Sequence, residues 1–281
     1  MSTEFARAVR DSGIKISEDS IINDGKLHRA HVEGDKVGSR NAWYVCFGSA
    51  GVFGCNKRGI AGKWRDTAKR QPLTQYDRER IQADRRARTE AQDRAYSDSA
   101  ARAERIFQQA THDASEHAYV VRKGVQPHGV RENGHGLLVI PIYSVVTGKL
   151  QTVQFVDRDG NKKMLTGGRV KDGCFPFSDT PNFWQTAHHR TGLVEGFATG
   201  ATLAETLHET ATFAAFSAGN LKAVAQGLRA RYPKSQIIIF GDNDANQIGQ
   251  RCAMEAARAV DGFIAIPPTT GCDWNDVRGA A

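Results

Sequence analysis

The sequence predicts an α/β chain that ends in a mainly parallel, four-stranded sheet with flanking helices, preceded by a strand-rich subdomain, a long charged helix and a small N-terminal β-module. Three observations carry this. After His188 short β-rich runs alternate with helical stretches. From Tyr119 to Phe177 apolar runs are joined by hairpin-type turns. From Thr74 to Ala110 the chain contains neither Gly nor Pro and is crowded with Arg, Asp, Glu and Gln.

The N-terminal module is placed at residues 1–70, where the runs Trp43–Phe47 and Gly51–Cys55 flank a Gly-Ser-Ala-Gly turn as in a β-hairpin. A helical linker follows at 71–115, with Thr74 and Asp77 spaced as a helix cap. Ala83, Ala87, Ala91 and Ala95, continued by Ala103 and Phe107, form a narrow small-residue stripe along a helix of roughly 50 Å. Charge runs of this kind usually form solvated spacers laced with ion pairs, and the many arginines leave nucleic-acid contact open as the other reading.

The strand-rich subdomain, 116–189, holds the runs Leu137–Ser144 and Leu150–Asp157, then the turn Asp159, Gly160, Asn161, and Lys162, Lys163 and Arg169 beyond it. In the last part, 190–281, the expected strands are Thr191–Gly196, Ala211–Phe216, Gln236–Asp242 and Gly262–Pro267. The expected helices between them are Ala198–Glu209, one capped by Asn220 and running to Tyr232, and Asn246–Val260.

Composition narrows the classes. The 281 residues have room for two modest domains, and 40% hydrophobic with 25% charged residues is a globular balance. Thirty-eight Lys and Arg against 31 Asp and Glu, a formal charge of +7, favours polyanionic partners. The N-terminus lacks a basic start followed by an apolar run, and no stretch approaches the ~20 apolar residues of a membrane span, so a cytoplasmic protein is expected. Cys46, Cys55, Cys174, Cys252 and Cys272 are scattered without a CxxC pair and suggest neither a disulfide framework nor a four-cysteine zinc site.

In parallel sheets ligands collect at the carboxyl ends of strands, and there the acidic residues fall. Glu195 ends the first strand, Asp242 and Asp244 end the third, and Asp273 and Asp276 follow the fourth. Carboxylates one residue apart point to the same side of an extended chain and can share a hard cation such as Mg²⁺, which also relieves their mutual repulsion. A lone Asp-x-Asp is usually a solvated turn. Its recurrence with Glu-Gly and a second Asp pair at successive strand ends makes a site.

The stretches LVEGFATGATLAET, FAAFSAGNL, IIIFGDNDANQIGQRCAMEAARAV and CDWNDV resemble the TOPRIM domain of primases encoded by plasmids, phages and other mobile elements. The resemblance covers about residues 190 to 278. It implies a DNA primase that makes short RNA primers on single-stranded DNA from ribonucleoside triphosphates, with Mg²⁺ or Mn²⁺. Glu195 would be the general acid/base or metal-linked glutamate, Asp242 and Asp244 the metal ligands, and Asp276 a further candidate ligand. The region from Tyr119 to Phe177 is similar to the subdomain before TOPRIM in bacterial primases, with Lys163 as the lysine that meets nucleotide and Arg169 and Lys171 nearby.

The N-terminal module departs from the zinc ribbon of bacterial primases, which uses three Cys and one His. Cys46 and Cys55 lack paired spacing, His28 and His31 could add nitrogen ligands, and a metal-free descendant of the ribbon is expected. Its aromatics Trp43, Tyr44, Phe47 and Phe53 lie among Arg29, Arg40, Lys57, Arg58, Lys63 and Arg65, a mixture suited to template contact or to a small core. The chain ends five residues after Asp276, so a separate replicative helicase is the expected partner. The rival readings are a nuclease on the same fold, which usually accompanies a Gly-Lys-Ser/Thr phosphate loop that this sequence lacks, and a non-catalytic single-stranded-DNA-binding protein.

Overall fold

A computed structural model describes residues 2–66, 75–110, 113–178, 180, 182–245 and 247–279. The chain divides into two compact units, Met1–Ala83 and Asp84–Ala281. The cap expected of Thr74 lies outside the described residues.

In the first unit α1 (Ser2–Asp11) precedes an antiparallel sheet of β1 (His28–Ala30), β2 (Ala42–Phe47), β3 (Ala50–Cys55) and β4 (Ile60–Arg65), paired in that order. Its inner face closes on α1, where the buried Phe5 ring meets Tyr44, Phe53 and Trp64 at 5.6–6.0 Å between centroids. Cys46 and Cys55 are core side chains here, fully buried. His28 stacks on Tyr44 and bonds Asp24, and His31 bonds the Ser39 carbonyl. Asp35 is buried beneath Lys57 at 2.8 Å and Arg58 at 3.1 Å, with Asn41 donating a third bond at 2.8 Å.

The long helix α2 (Gln75–Gln109) matches the Gly- and Pro-free run. Its small-residue stripe is exposed at Ala83, Ala87, Ala91 and Ala95, whereas Ala103 is buried and Ile106 and Phe107 pack with it against Val139, Val153 and Leu165. Only this C-terminal end of the stripe packs. Arg131 anchors it, donating to the Phe107 carbonyl with its guanidinium 4.3 Å above the Phe107 ring centroid.

Beyond α2 come α3 (Ala118–Lys123), β5 (Arg131–Glu132), β6 (Leu138–Ser144), β7 (Leu150–Val156), β8 (Lys162–Met164) and β9 (Gly173–Pro176). Then β10 (Arg190–Val194), α4 (Phe197–Thr206), β11 (Ala211–Ala214), α5 (Leu221–Arg231), β12 (Gln236–Phe240), α6 (Ile248–Ala259) and β13 (Phe263–Ala265) alternate as the sequence predicts. All of these strands join one nine-stranded sheet, β13-β12-β10-β11-β9-β6-β7-β8, with β5 on the flank of β6. The first four are parallel, and β9 pairs antiparallel with β11. The expected boundary at residue 190 therefore falls inside a continuous sheet.

Alternate residues of the parallel strands enter different cores. Val194 and Phe240 join Leu138, Ile140 and Phe197, while Leu193, Ile237 and Ile239 join Leu221, Leu228 and Ala256. Burial on both faces is why these strands read as continuous apolar runs. One expectation is corrected. Asn220 stands at the start of α5 but makes no side-chain cap bond, because its amide is engaged by backbone groups elsewhere.

Candidate active site

Glu195 is the first residue beyond β10, where the chain turns into α4 through an extended Gly196. Its carbonyl accepts from Phe216 N–H at 2.7 Å. Burial pushes the Glu195 carboxyl up; the Ala218 backbone N–H opposes this and Asp244 adds to it.

Asp242 and Asp244 follow β12 in a loop held from several sides. Between them Asn243 turns the other way, its side chain donating to the Pro267 carbonyl at 2.8 Å, and Gln250 donates to Asn243 Oδ1 and to the Asp244 carbonyl. That outward central residue leaves its two neighbours on the other side of the loop. Gly249, in the first turn of α6, permits the close approach, since a Cβ there would lie 2.9 Å from Asp244 Oδ2 and 3.2 Å from the Asp242 carbonyl.

Burial, then Glu195, Asp273 and Asp244, push Asp242 up to about 7, with Lys162 opposing. Asp242 Oδ1 is buried and has no hydrogen-bond partner among the described residues. A buried carboxylate oxygen without a donor, beside other acids, is the environment a hard cation completes. Among the described residues no three such side chains already converge around one point, so the protein would supply only part of an ion's coordination shell. This agrees with Mg²⁺, which keeps waters and substrate phosphates as ligands.

A cavity of ≈ 360 Å³ is lined by the acids Glu195, Asp242 and Asp273 together with the bases Arg122, Lys123 and Lys162. Lys162 Nζ lies 6.0 Å from the Tyr119 ring centroid, and Arg122 is braced by donating to the Arg158 carbonyl at 2.9 Å. Burial, reinforced by Asp273, raises the Tyr119 hydroxyl to about 12.

The expected residues are only partly brought together. Glu195 and Asp242 line the cavity; Asp244 does not, though its charge pushes both of their carboxyls up. Asp276 does not line the cavity: its carboxylate accepts from Asp273 N–H at 3.0 Å and faces Lys123 at 3.9 Å, while Asp273 takes the inward place. Lys163 pairs in register with Phe155 and lies beside it and Leu165 in an apolar hollow that Lys162 also borders. Arg169 is engaged by Asp172 and stacks 5.8 Å from the Tyr96 ring, and Lys171 is exposed, its carbonyl accepting from Gln151. Among the cavity residues, Tyr119, Arg122, Lys123 and Lys162 have no role assigned from the sequence, and Asp273 stands there only at the strand end, with Asp276 as the candidate ligand. For Lys162 strand alternation carried the signal: its register partner Val156 is buried in the core, while Phe155 lies on the face toward α2.

A parallel sheet with a glutamate after its first strand and an Asp-x-Asp after its third, arranged this way, defines a TOPRIM-type domain. Residues 190–281 match the Toprim domain family. Over 94% of its length the chain is 36% identical to an Escherichia coli protein named DNA primase TraC, of which it covers 26%. A second Escherichia coli protein of that name is 33% identical over 94% of this chain and 19% of its own length. The chain thus spans about a quarter or less of these relatives. Solved structures similar to it include the primase fragment of the bacteriophage T7 primase-helicase, with TM-score 0.45, 14% identity, and coverage of 90% of this chain and 95% of that one. The zinc-binding and RNA polymerase domains of the Aquifex aeolicus primase give TM-score 0.45, 12% identity, and coverage of 99% and 82%. Among the described residues no helix is long and apolar enough to cross a membrane.

Proposed function

We propose that this chain is the catalytic part of a DNA primase of a plasmid, phage or other mobile element, joining ribonucleoside triphosphates into short RNA primers on single-stranded DNA. One observation carries the reading: acids at the strand ends of the TOPRIM sheet and basic residues of the strand-rich subdomain line one cavity. Its ≈ 360 Å³ lies within the range of small-molecule sites, roughly 300–1,000 Å³.

Glu195, Asp242 and Asp244 would hold a divalent cation, Mg²⁺ or Mn²⁺, which when bound supplies activation of the attacking 3′-hydroxyl and charge neutralisation at the leaving pyrophosphate. Arg122, Lys123 and Lys162, which line the same cavity, would take the triphosphate, their fixed cations offsetting charge at the transferred phosphoryl group. Glu195, whose carboxyl is pushed up by burial, would accept a proton there. A separate replicative helicase that exposes template is the partner such an activity requires.

The test is to incubate the chain with single-stranded DNA, labelled ribonucleotides and Mg²⁺ or Mn²⁺. Template-dependent short RNA products are expected. Shortened DNA without RNA would make it a nuclease, and DNA retention without either product would make it a binding protein; each result overturns the primase reading.

A further inference from the structure

Asn220, in the SAGN turn after β11, has a side chain whose bonds exceed what packing a turn requires. It is buried, and its amide nitrogen donates to the carbonyls of Ala215 at 2.9 Å, Gly173 at 2.9 Å and Val170 at 3.1 Å. Its amide oxygen accepts from Asp172 N–H at 3.0 Å. Two N–H groups serve three carbonyls, so one bond is shared.

These bonds close a turn whose inward N–H groups meet the end of β10. Ala215 N–H donates to the Val194 carbonyl at 2.9 Å and Phe216 N–H to the Glu195 carbonyl at 2.7 Å. Phe216 is left-handed, at φ 65°, a conformation a side-chain-bearing residue keeps only where its surroundings over-determine it. Asn220 supplies that determination, holding the turn at Ala215 and tying it to the 170–173 loop that leads into β9.

We infer that Asn220 is a positioning residue for Glu195: it fixes the turn whose Phe216 N–H holds the Glu195 carbonyl at 2.7 Å, where the chain leaves β10 for the cavity. The catalytic part of this inference rests on the primase reading; the geometric part stands without it. A residue serving the fold alone would lower stability when replaced and leave Phe216 and the chemistry unchanged in the folded protein.

The experiment compares the full chain with Asn220→Ala, with Asn220→Thr, which keeps one hydroxyl donor and acceptor near the same place, and with Thr191→Val. The last removes a buried hydroxyl pair with Ser235, 2.7 Å, at the far end of β10, and serves as the stability control. In metal-free protein, amide exchange at Phe216 should quicken about tenfold in Asn220→Ala while Leu193 and Val194 stay protected. Mn²⁺ binding should weaken about threefold or more, and kcat at saturating nucleotide should fall about tenfold with KM changed less than about twofold.

Asn220→Thr should recover part of each loss, and Thr191→Val should lower Tm alone. Phe216 exchange and Mn²⁺ affinity within about twofold of wild type in Asn220→Ala would overturn the inference, as would equal losses in Thr191→Val. Should Asn220→Ala not fold, Asn220→Thr is judged by the same criteria. An inactive wild-type chain would sink the primase reading while exchange and Mn²⁺ binding still decide the role of Asn220.

Discussion

Lys162 and Lys163 are consecutive in β8 and face opposite sides of the sheet. Lys162, paired with Val156, looks toward Asp242 and Glu195, whereas Lys163, paired with Phe155, lies on the side where α2 packs. Lys162→Ala is therefore expected to lower kcat/KM for ribonucleotides about tenfold or more, and Lys163→Ala by less than about threefold. Steady-state priming at varied nucleotide, beside binding of single-stranded DNA, checks both. A larger loss from Lys163→Ala would place the triphosphate on the other face of the strand.

Glu195→Gln, Asp242→Asn and Asp244→Asn remove charge with almost no change in volume. Each should reduce nucleotidyl transfer about a hundredfold or more, with circular dichroism and cooperative melting retained. Activity within a few-fold of wild type in any of the three would remove that residue from the site.

Asp242 also ties stability to pH. Its folded value, about 7, lies above the ordinary 3.8, so ionisation is disfavoured in the folded chain. The stabilising difference is fully present below 3.8 and is lost as pH rises through about 7. Metal-free protein should melt at lower temperature at pH 8 than near pH 5 from this source. Asp242→Asn should lack the trend and exceed wild type at pH 8 in chelator by roughly 1–3 kcal/mol, a range reduced for the open side of the cavity. Saturating Mg²⁺ should reverse the order, because only the wild type gains from binding. Identical Tm–pH curves for the two proteins would contradict the burial of this carboxylate.

The elements and the three central acids were legible because their signals are local. Strand and helix periods and a glycine beside Glu195 and Asp242 need no knowledge of distant residues. The strand expected to reach Phe216 ends at Ala214, since Phe216 turns left-handed toward Glu195. The cavity's other residues were not legible. Whether Lys162 or Lys163 faces the acids depends on a one-residue register set by β7, and Asp273 rather than Asp276 lines the cavity although each carboxylate accepts from the other's backbone N–H in their shared turn. Asn220 looked like a helix cap, and only the approach of the 170–173 loop, 47 to 50 positions earlier, reveals its other partners.

In the N-terminal unit Asp35 replaces local repulsion with a buried charged knot. Arg58, then Lys57 and Asn41, hold its carboxyl well below the ordinary 3.8. The stability it contributes is present above 3.8 and lost as pH falls through its folded value. Asp35→Asn should lower Tm at pH 7 by several degrees, with the gap to wild type narrowing in acid; equal Tm values at pH 7 would leave the knot without energetic weight. Burial also pushes the Cys46 thiol up, which disfavours the thiolate that zinc needs.

The sheet of the same unit has an outer face suited to single-stranded nucleic acid. Register places Arg29 beside Trp43, Val45 beside Val52, and Lys63 and Arg65 beside Val52 and Ala50. Trp43 lies over Gly54, where a Cβ would come 2.7 Å from the indole, and Phe47 is 53% exposed. Tyr44 and Phe53 belong instead to the inner core, so of the four aromatics only Trp43 and Phe47 remain for stacking. Base stacking contributes about 1–3 kcal/mol per ring and is insensitive to salt, whereas phosphate contacts set the salt slope. Phe47→Ala should therefore weaken binding of a single-stranded oligonucleotide about fivefold or more with its salt slope unchanged, and Lys63→Ala with Arg65→Ala should lower the slope by about one to two. Fluorescence anisotropy at several salt concentrations separates the two effects. If Phe47→Ala and the double variant both bind as wild type does, this face does not contact nucleic acid, and the exposed ring needs another explanation.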